Sequence, residues 1–450
     1  SPIRCDPYLK ENKMIKENKM NIEMRWDKLV VPTETRCERN LLIELTALGQ
    51  PKEKKKDRPP VNLALVIDRS GSMQGTYIEA AKIAAMGISD QLTNKDRLSL
   101  VSFDDKVITH FSNLSMDSKG RRRAKNSITE LYTGCTTNLS AGWFEGAHCV
   151  TEAIDEGSFQ KGHVLVLSDG MANEGIEDPE KLKMHAQELA SRGVYTSAAG
   201  IGADYSPLQL DALAEGGEGR LHDTETAEDI IDVVLGELGE ISNTVARNVE
   251  LYIRSPRGVR LECLSSMREH RSGNLLQINL GIMQLNRMKE VALLTEVSKL
   301  SKGKELPIEA YVTWENVDSG EQLRSATVNS VLRVVSAREE EKAKVDTEVV
   351  RKFADLWEAS LAYQGMILNE QKDYQGVREL YESNLESLSE TVGSLEDSDS
   401  RMYRHELAGK RMGKEWKGRS KLKSFDLAKK QMSSQPNLLR KDSGNWHDRF

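Results

Sequence analysis

The sequence predicts an α/β fold in which a doubly wound, mostly parallel sheet is inserted into an antiparallel β-sandwich-like domain and followed by a helical hairpin. Short apolar segments alternate with helical segments between residues 60 and 242, which is the pattern of parallel strands joined by crossover helices. Segments with period-two patterning lie on both sides of this region, and a stretch with helical periodicity follows them. The 450 residues are enough for two or three such domains.

The region 60–242 is predicted to be one α/β domain that begins with the strand "VNLALVID" (61–68). This continuous apolar run is typical of a strand that is covered on both faces. Further strands are expected at 97–103, 106–111, 163–170, 194–202 and 220–222. Helices are expected between and after them at 77–92, 118–131, 139–155, 179–191, 206–215 and 225–241.

The period-two segments on both sides of this region are predicted to form a single β domain. Six strand candidates follow one another between residues 245 and 336, and "RNLLIELTAL" (39–48) has the same character. We therefore expect residues 21–50 to fold with residues 245–336. The charged, proline-containing segment 49–60 has the composition of a linker.

The remaining parts of the chain are predicted from composition and periodicity. Residues 1–20 are polar and are expected to be flexible, whereas 337–394 are predicted to form a helical domain with helices at 337–371 and 372–392. Residues 395–450 are predicted to be a basic, disordered tail. The last 50 residues hold 14 Lys and Arg against 5 Asp and Glu, so the rest of the chain carries a net charge of -16.

A carboxylate and two hydroxyls follow the first strand of the α/β domain. Asp68 ends the strand, and Ser70 and Ser72 lie on the loop into the next helix. In doubly wound sheets, ligands bind beyond the carboxyl ends of the strands. Carboxylate and hydroxyl oxygens suit Mg²⁺ or Mn²⁺ and are poor ligands for zinc. The alternative at this point is that Ser70 or Ser72 caps the following helix.

Two further loops are expected at the same edge of the sheet. "GCTTNLSAG" (134–142) places two threonines before a helix, and "VLVLSDGMANEG" (164–175) places Asp169 at the end of another buried strand. Asp68, Ser70, Ser72, a threonine and Asp169 together form a set of oxygen ligands drawn from three loops. This combination makes a divalent metal site the favoured interpretation.

These three pieces resemble the von Willebrand factor A family, whose metal-ion-dependent adhesion site has the pattern D-x-S-x-S, then T, then D. The resemblance covers roughly residues 60–240 and implies a Rossmann-like domain. It assigns Asp68, Ser70, Ser72 and Thr137 to a Mg²⁺ (or Mn²⁺) ion, with Asp169 as a ligand that is commonly water-mediated. Thr136 stands where the family usually has glycine, so it is an alternative to Thr137. In the family, a carboxylate from a partner protein fills the open position on the metal.

The order of the domains carries a second, looser resemblance to cytoplasmic vWA proteins of bacteria and archaea. Those proteins work with Ser/Thr kinases and phosphopeptide-binding proteins. The resemblance implies a non-catalytic scaffold that captures a Glu or Asp of a partner protein, in a regulatory assembly. Five scattered cysteines and the absence of an apolar leader favour the cytoplasm. No apolar stretch approaches the roughly 20 residues that span a membrane.

Two other classes of function are weighed against this one. For an enzyme, the sequence contains neither a G-x-x-x-x-G-K-[ST] loop nor an H-E-x-x-H motif, and its eight histidines are dispersed. For a nucleic-acid-associated protein, the basic tail places Trp416, Phe425 and Trp446 among lysines and arginines, a composition compatible with base stacking. The second class remains the alternative to a metal-dependent scaffold.

Overall fold

The computed structural model describes residues 19–48, 60–134, 136–170, 172–202, 205–264, 267, 269–317 and 319–432. Within these residues it contains seventeen strands and twelve α-helices. The flexible segment predicted for 1–20 lies outside the described residues except for Lys19 and Met20, which begin the first strand. Nearly all of the predicted linker, residues 49–59, also lies outside them.

The strands fall into three groups along the chain. The strands before the α/β domain are β1 (Lys19–Trp26), β2 (Val30–Pro32) and β3 (Cys37–Leu48). Those of the α/β domain are β4 (Asn62–Asp68), β5 (Arg97–Phe103), β6 (Val107–Ser115), β7 (Gly162–Ser168), β8 (Val194–Ile201) and β9 (Glu218–Thr224). Those after it are β10 (Thr244–Arg254), β11 (Val259–Cys263), β12 (Glu269–Ser272), β13 (Leu275–Gln284), β14 (Met288–Val297), β15 (Glu305–Asn316), β16 (Gln322–Arg324) and β17 (Val328–Val335).

The helices fall into two groups of six. Those of the α/β domain are α1 (Thr76–Gln91), α2 (Ser118–Thr129), α3 (Leu139–Asp155), α4 (Pro179–Ser191), α5 (Pro207–Gly216) and α6 (Ala227–Asn243). Those that follow the last strand are α7 (Ala337–Glu341), α8 (Thr347–Glu370), α9 (Tyr374–Ser383), α10 (Leu385–Val392), α11 (Ser398–Met412) and α12 (Arg419–Met432).

The α/β domain is built on a six-stranded sheet with the order β6-β5-β4-β7-β8-β9. All neighbouring strands are parallel except β6, which runs antiparallel to β5. Every residue of β4 is buried, as expected for a strand between two layers of helices. One face packs on residues of α1, α2 and α6, and the other packs on residues of α3, α4 and α5. The predicted doubly wound fold is confirmed.

Two further sheets form the β-sandwich-like domain. The first has the order β1-β3-β14-β11, and the second has the order β12-β13-β10-β15-β17-β2, with β16 paired to β15. In the first sheet, β3 pairs with β14, whose residues lie more than 240 positions later in the chain. Both sheets contribute apolar side chains to one core. The α/β domain is therefore an insert between strands of the sandwich, as predicted.

The C-terminal helices correct one prediction and extend another. The prediction of a disordered tail over 395–450 is wrong as far as residue 432, because α11 and α12 are formed there and pack on the rest of the chain. Residues 433–450 lie outside the described part. Trp416, Leu422 and Phe425 join the apolar core that α3, α4 and α5 share. The helix predicted over 372–392 is two helices, α9 and α10. None of the described helices is long and apolar enough to cross a membrane.

Candidate metal site

The side chains predicted to bind metal converge at the carboxyl edge of the central sheet. Asp68 is the last residue of β4 and Asp169 directly follows β7, and these two strands are neighbours. The Ser72 hydroxyl donates to Asp169 Oδ1 at 2.8 Å, and the Ser70 hydroxyl lies 3.4 Å from the same oxygen. The Oγ atoms of Ser70 and Ser72 are 3.1 Å apart. Two loops thus bring four oxygen-bearing side chains together.

Asp68 lies deepest in this group and is fully buried. Its Oδ1 accepts the backbone N–H of Ser70 at 2.8 Å, and its Oδ2 accepts the hydroxyl of Ser168 at 2.6 Å. Burial nevertheless raises the pKa of Asp68 to about 6, because a buried carboxylate loses its hydration. A cation at this position would compensate that loss. The supporting hydroxyl of Ser168 was missed at the sequence level, although it directly precedes Asp169 in a buried strand.

Thr137 lies at this edge together with the serines. A Cβ atom placed on Gly170 would lie 3.4 Å from Thr137 Oγ1 and 4.0 Å from Ser72 Oγ, so both hydroxyls border the same small space. Asn173 fixes the loop, because its side chain accepts the Thr137 N–H and its own N–H donates to the Thr137 carbonyl, both at 3.2 Å. The alternative, Thr136, instead donates its hydroxyl to Glu174 at 3.1 Å.

A buried ion pair that the sequence interpretation missed connects the first loop to the threonine loop. Arg69 Nη2 lies 2.6 Å from Asp104 Oδ1, and both side chains are 4% exposed. The Gly134 N–H donates to the Arg69 carbonyl at 2.5 Å, and the Asn138 N–H donates to the Asp104 carbonyl at 2.9 Å. A Cβ on Gly134 would lie 1.7 Å from Asp104 Oδ2, so only glycine fits there. The sequence signal for this ion pair was one charged residue directly after each of two buried strands. Cys135, next to Gly134, lies outside the described residues.

The helix-capping alternative for the serines is wrong. The helix α1 begins at Thr76 and its N-cap is Gly75, with no side-chain hydrogen bond. Ser70 precedes only a short 3₁₀ turn and makes no capping hydrogen bond there. The hydroxyls of Ser70 and Ser72 face Asp169 instead. Capping therefore does not account for serines at these two positions.

The donor set matches a hard divalent cation. It consists of two carboxylates and three hydroxyls, which are the oxygen ligands that Mg²⁺ and Mn²⁺ prefer. The described part of the chain contains no cluster of three or more His, Cys, Asp or Glu side chains that could hold a metal ion, so the hydroxyls are an essential part of this donor set. The residues present therefore fit a Mg²⁺ or Mn²⁺ ion held by Asp68, Ser70, Ser72 and Thr137, with Asp169 beside them.

Comparison with known proteins identifies the class of domain. Residues 62–234 match the family model described as the von Willebrand factor type A domain. Together with the doubly wound sheet, this match shows that the chain contains a vWA domain, as the sequence motifs predicted. Domains of this family commonly mediate protein–protein interactions.

Two solved structures share the fold of nearly the whole chain. A von Willebrand factor type A protein from Catenulispora acidiphila is 16% identical with a TM-score of 0.61, and the likeness covers 89% of this chain and 91% of that chain. The ArnB paralog VWA2 from Sulfolobus acidocaldarius is 13% identical with a TM-score of 0.52, covering 93% and 100%. The flanking β and helical parts therefore belong to an architecture found in other vWA proteins.

Two relatives found by sequence match only part of this chain. An uncharacterized protein of Synechocystis sp. is 24% identical over 274 residues, which are 59% of this chain and 64% of that protein. Inter-alpha-trypsin inhibitor heavy chain H3 of Mesocricetus auratus is 26% identical over 198 residues, which are 43% of this chain and 22% of that protein. The chain thus spans less than two thirds of the length of either relative.

Proposed function

We propose that this protein is a non-catalytic scaffold that binds a partner protein through a divalent metal. In this proposal, Asp68, Ser70, Ser72 and Thr137 hold Mg²⁺ (or Mn²⁺), with Asp169 as an indirect ligand. An Asp or Glu of the partner completes the metal's coordination. The observation that carries the proposal is the convergence of five oxygen-bearing side chains from three loops at one edge of the sheet, where capping does not account for the serines.

The charges at this edge support capture of a carboxylate. Asp68 and Asp169 bring two negative charges, which leave a dication close to neutral overall. Both carboxylates are buried, whereas Ser72 is exposed, so the side of the group that faces solvent is lined by a neutral hydroxyl. A carboxylate that approaches from solvent therefore meets the metal in a partly desolvated site, where the attraction is stronger than in water.

An exposed aromatic side chain near the candidate metal site favours a protein, rather than a small molecule, as the ligand. Tyr132 is 61% exposed and precedes Thr137 on the same loop. The guanidinium of Arg69 lies 5.1 Å from the centre of its ring, and Arg69 is fixed by Asp104. Tyrosine is a frequent centre of binding energy in interfaces. We expect the partner to place an apolar side chain on Tyr132 near its metal-binding carboxylate.

Three finer points belong to the same proposal. A regulatory assembly with a Ser/Thr kinase or a phosphopeptide-binding protein, and a cytoplasmic location, follow from the resemblance to bacterial and archaeal vWA proteins. The proposal is of a non-catalytic role, which is typical of vWA domains as interaction modules. The ion pairs of the C-terminal helices oppose the nucleic-acid alternative, since Arg419 pairs with Asp223 and Lys429 with Asp211.

The experiment compares partner capture by the immobilised full chain with Mg²⁺ and with EDTA. Wild type should retain a partner only with Mg²⁺, and Asp68→Ala should not retain it under either condition. Asp105→Ala removes an exposed carboxylate near the same edge and serves as the matched control. Deletion of residues 433–450 should leave capture intact. If EDTA and Asp68→Ala change nothing while the deletion abolishes capture, the metal-dependent function is wrong.

A further inference from the structure

A small cavity lies where the amino end of the central sheet meets the β-sandwich. Its volume is about 30 Å³, and its lining includes His163 of β7, Tyr195 of β8, Glu218 of β9 and Arg247 of β10. It is therefore bounded by both domains and lies at the opposite end of the sheet from the candidate metal site. A single water needs roughly 10–15 Å³ of such space, so the cavity has room for a small ligand.

Two arginines, Arg220 and Arg247, line this cavity, and Arg247 is only 3% exposed. Its Nη2 lies 3.3 Å from His163 Nε2, and its guanidinium lies over the ring of Tyr195 at 4.2 Å. Its Nε and Nη1 have no hydrogen-bond partner within the described part of the chain. No carboxylate of the described residues forms an ion pair with it either. A guanidinium stays protonated in proteins, so this charge is buried without a contacting anion.

A further cation, Lys289 of β14, lies close to these residues. Lys289 is partly buried, and its ammonium group donates to the carbonyl of Leu280 rather than to a described carboxylate. Burial lowers its pKa to about 8, so it remains mainly charged at pH 7. Among the nearby carboxylates, Glu237 is already bound to His222. Burial raises the pKa of Glu218, and the charges of Lys289 and Arg247 oppose that rise, so Glu218 lies within electrostatic reach of both cations without forming an ion pair with Arg247.

We infer that this cavity binds a monovalent anion of halide size, held by the Nε and Nη1 groups of Arg247. Burying an unpaired charge is costly, and a contacting counter-ion removes most of that cost. His163 accepts from Arg247 through Nε2, which leaves its Nδ1 as the protonated nitrogen. The Tyr195 hydroxyl is a further potential donor in the lining. The volume suits chloride better than a phosphate or sulfate.

The competing explanation is water alone. Glu218 Oε2 is also buried without a hydrogen-bond partner, and one or two waters would link it to the free N–H groups of Arg247. A water bridge satisfies hydrogen bonds but leaves Arg247 and Lys289 without a contacting carboxylate. The anion accepts from the free N–H groups of Arg247 and also supplies a contacting counter-charge, whereas Glu218 Oε2 still needs a water as its donor. The two explanations differ in whether a halide is found at the site.

An anion at this position would fix the two domains relative to each other. The cavity's Arg247 belongs to the sandwich, whereas His163, Tyr195 and Glu218 belong to the vWA sheet. The same junction is tied by Lys161 of the vWA domain, which lies 2.6 Å from Glu315 of the sandwich. Halide binding is therefore expected to stabilise the junction, and to do so without any contribution from the metal edge.

The direct test is diffraction from crystals of the full chain grown with bromide. An anomalous peak within hydrogen-bond distance of Arg247 Nε or Nη1 is expected. Density for water with no anomalous signal at full bromide exchange would overturn the inference. Crystals of Glu218→Gln should retain the peak, because that substitution removes a competing negative charge. A peak that appears in Glu218→Gln but not in wild type would show that Glu218 rather than an anion is the counter-charge of Arg247, and would overturn the inference.

A solution test compares thermal unfolding in chloride and in gluconate at equal ionic strength. Wild type should unfold at a higher temperature in chloride, by an amount that saturates as chloride rises. Arg247→Met should lose this dependence. Arg254→Met changes an arginine of the same strand whose side chain is 57% exposed, and it should keep the wild-type response. An equal chloride response in Arg247→Met and wild type would contradict the proposed site.

Discussion

The carboxyl edge of the central sheet and the C-terminal helices are both rich in polar residues, yet they use them in opposite ways. At the sheet edge, Asp68, Ser70, Ser72 and Asp169 come from separate loops and approach one another. In the C-terminal helices, the cations contact carboxylates at separate places in the same chain. Arg419 contacts Asp223 through two nitrogens, at 2.7 and 2.6 Å.

The two regions show how a functional cluster differs from charge that stabilises the fold. A group of like donors that converge and face a common space is organised for a ligand. Charges that form separate ion pairs with other parts of the same chain stabilise its fold. The composition of the last 50 residues suggested a solvated arm, but Lys421 pairs with Glu370 and Lys429 with Asp211 and Glu215. The basic segment neutralises acidic residues of the same chain.

The largest effect is expected from Phe425→Ala in α12. Phe425 is 1% exposed and lies 5.1 Å from the ring of Tyr363. Removing a buried phenylalanine typically costs about 3–5 kcal/mol of unfolding free energy. Chemical denaturation of the full chain measures the change. Leu385→Ala, at a 45% exposed position, is the control. A Phe425→Ala protein as stable as wild type would restore the interpretation of this segment as a tail.

An intermediate effect is expected from Ser72→Ala at the sheet edge. The substitution removes one neutral hydroxyl ligand but leaves both carboxylates in place. Loss of one polar interaction of this kind corresponds to about 1–3 kcal/mol, or roughly 5- to 150-fold in Mg²⁺ affinity. Calorimetric titration measures it, with unfolding free energy as the check that the fold is intact. Unchanged affinity would remove Ser72 from the ligand set.

The smallest effect is expected from Lys423→Gln in α12. Lys423 pairs with Glu225, but their side chains are 27% and 45% exposed, so water screens the pair. Exposed ion pairs contribute about 0–1 kcal/mol. Denaturation should therefore show a change below about 1 kcal/mol, with unchanged Mg²⁺ affinity. A loss of metal binding in this variant would show that the C-terminal helices and the carboxyl edge of the sheet are coupled, which would contradict their separate roles.

The sequence was sufficient for the central sheet and most of the candidate site because the relevant signals are local. Buried parallel strands are continuous apolar runs, and the residues at their carboxyl ends are brought together by the topology. The sequence was insufficient for the Arg69–Asp104 pair and the support from Ser168, because these contacts depend on which loops pack together. The helices α11 and α12 were missed because their few apolar residues lie among many charges, whose partners are distant in the chain.

A calorimetric titration of Mg²⁺ into the full chain tests most directly whether the sheet edge binds a metal. Wild type should bind one ion per chain, Asp105→Ala should bind it equally well, and Asp68→Ala should show no binding at the same concentrations. Circular dichroism should show that all three proteins are folded. If wild type binds no divalent ion, or if folded Asp68→Ala binds Mg²⁺ with the wild-type affinity, the assignment of a metal site to the carboxyl edge of the sheet is contradicted.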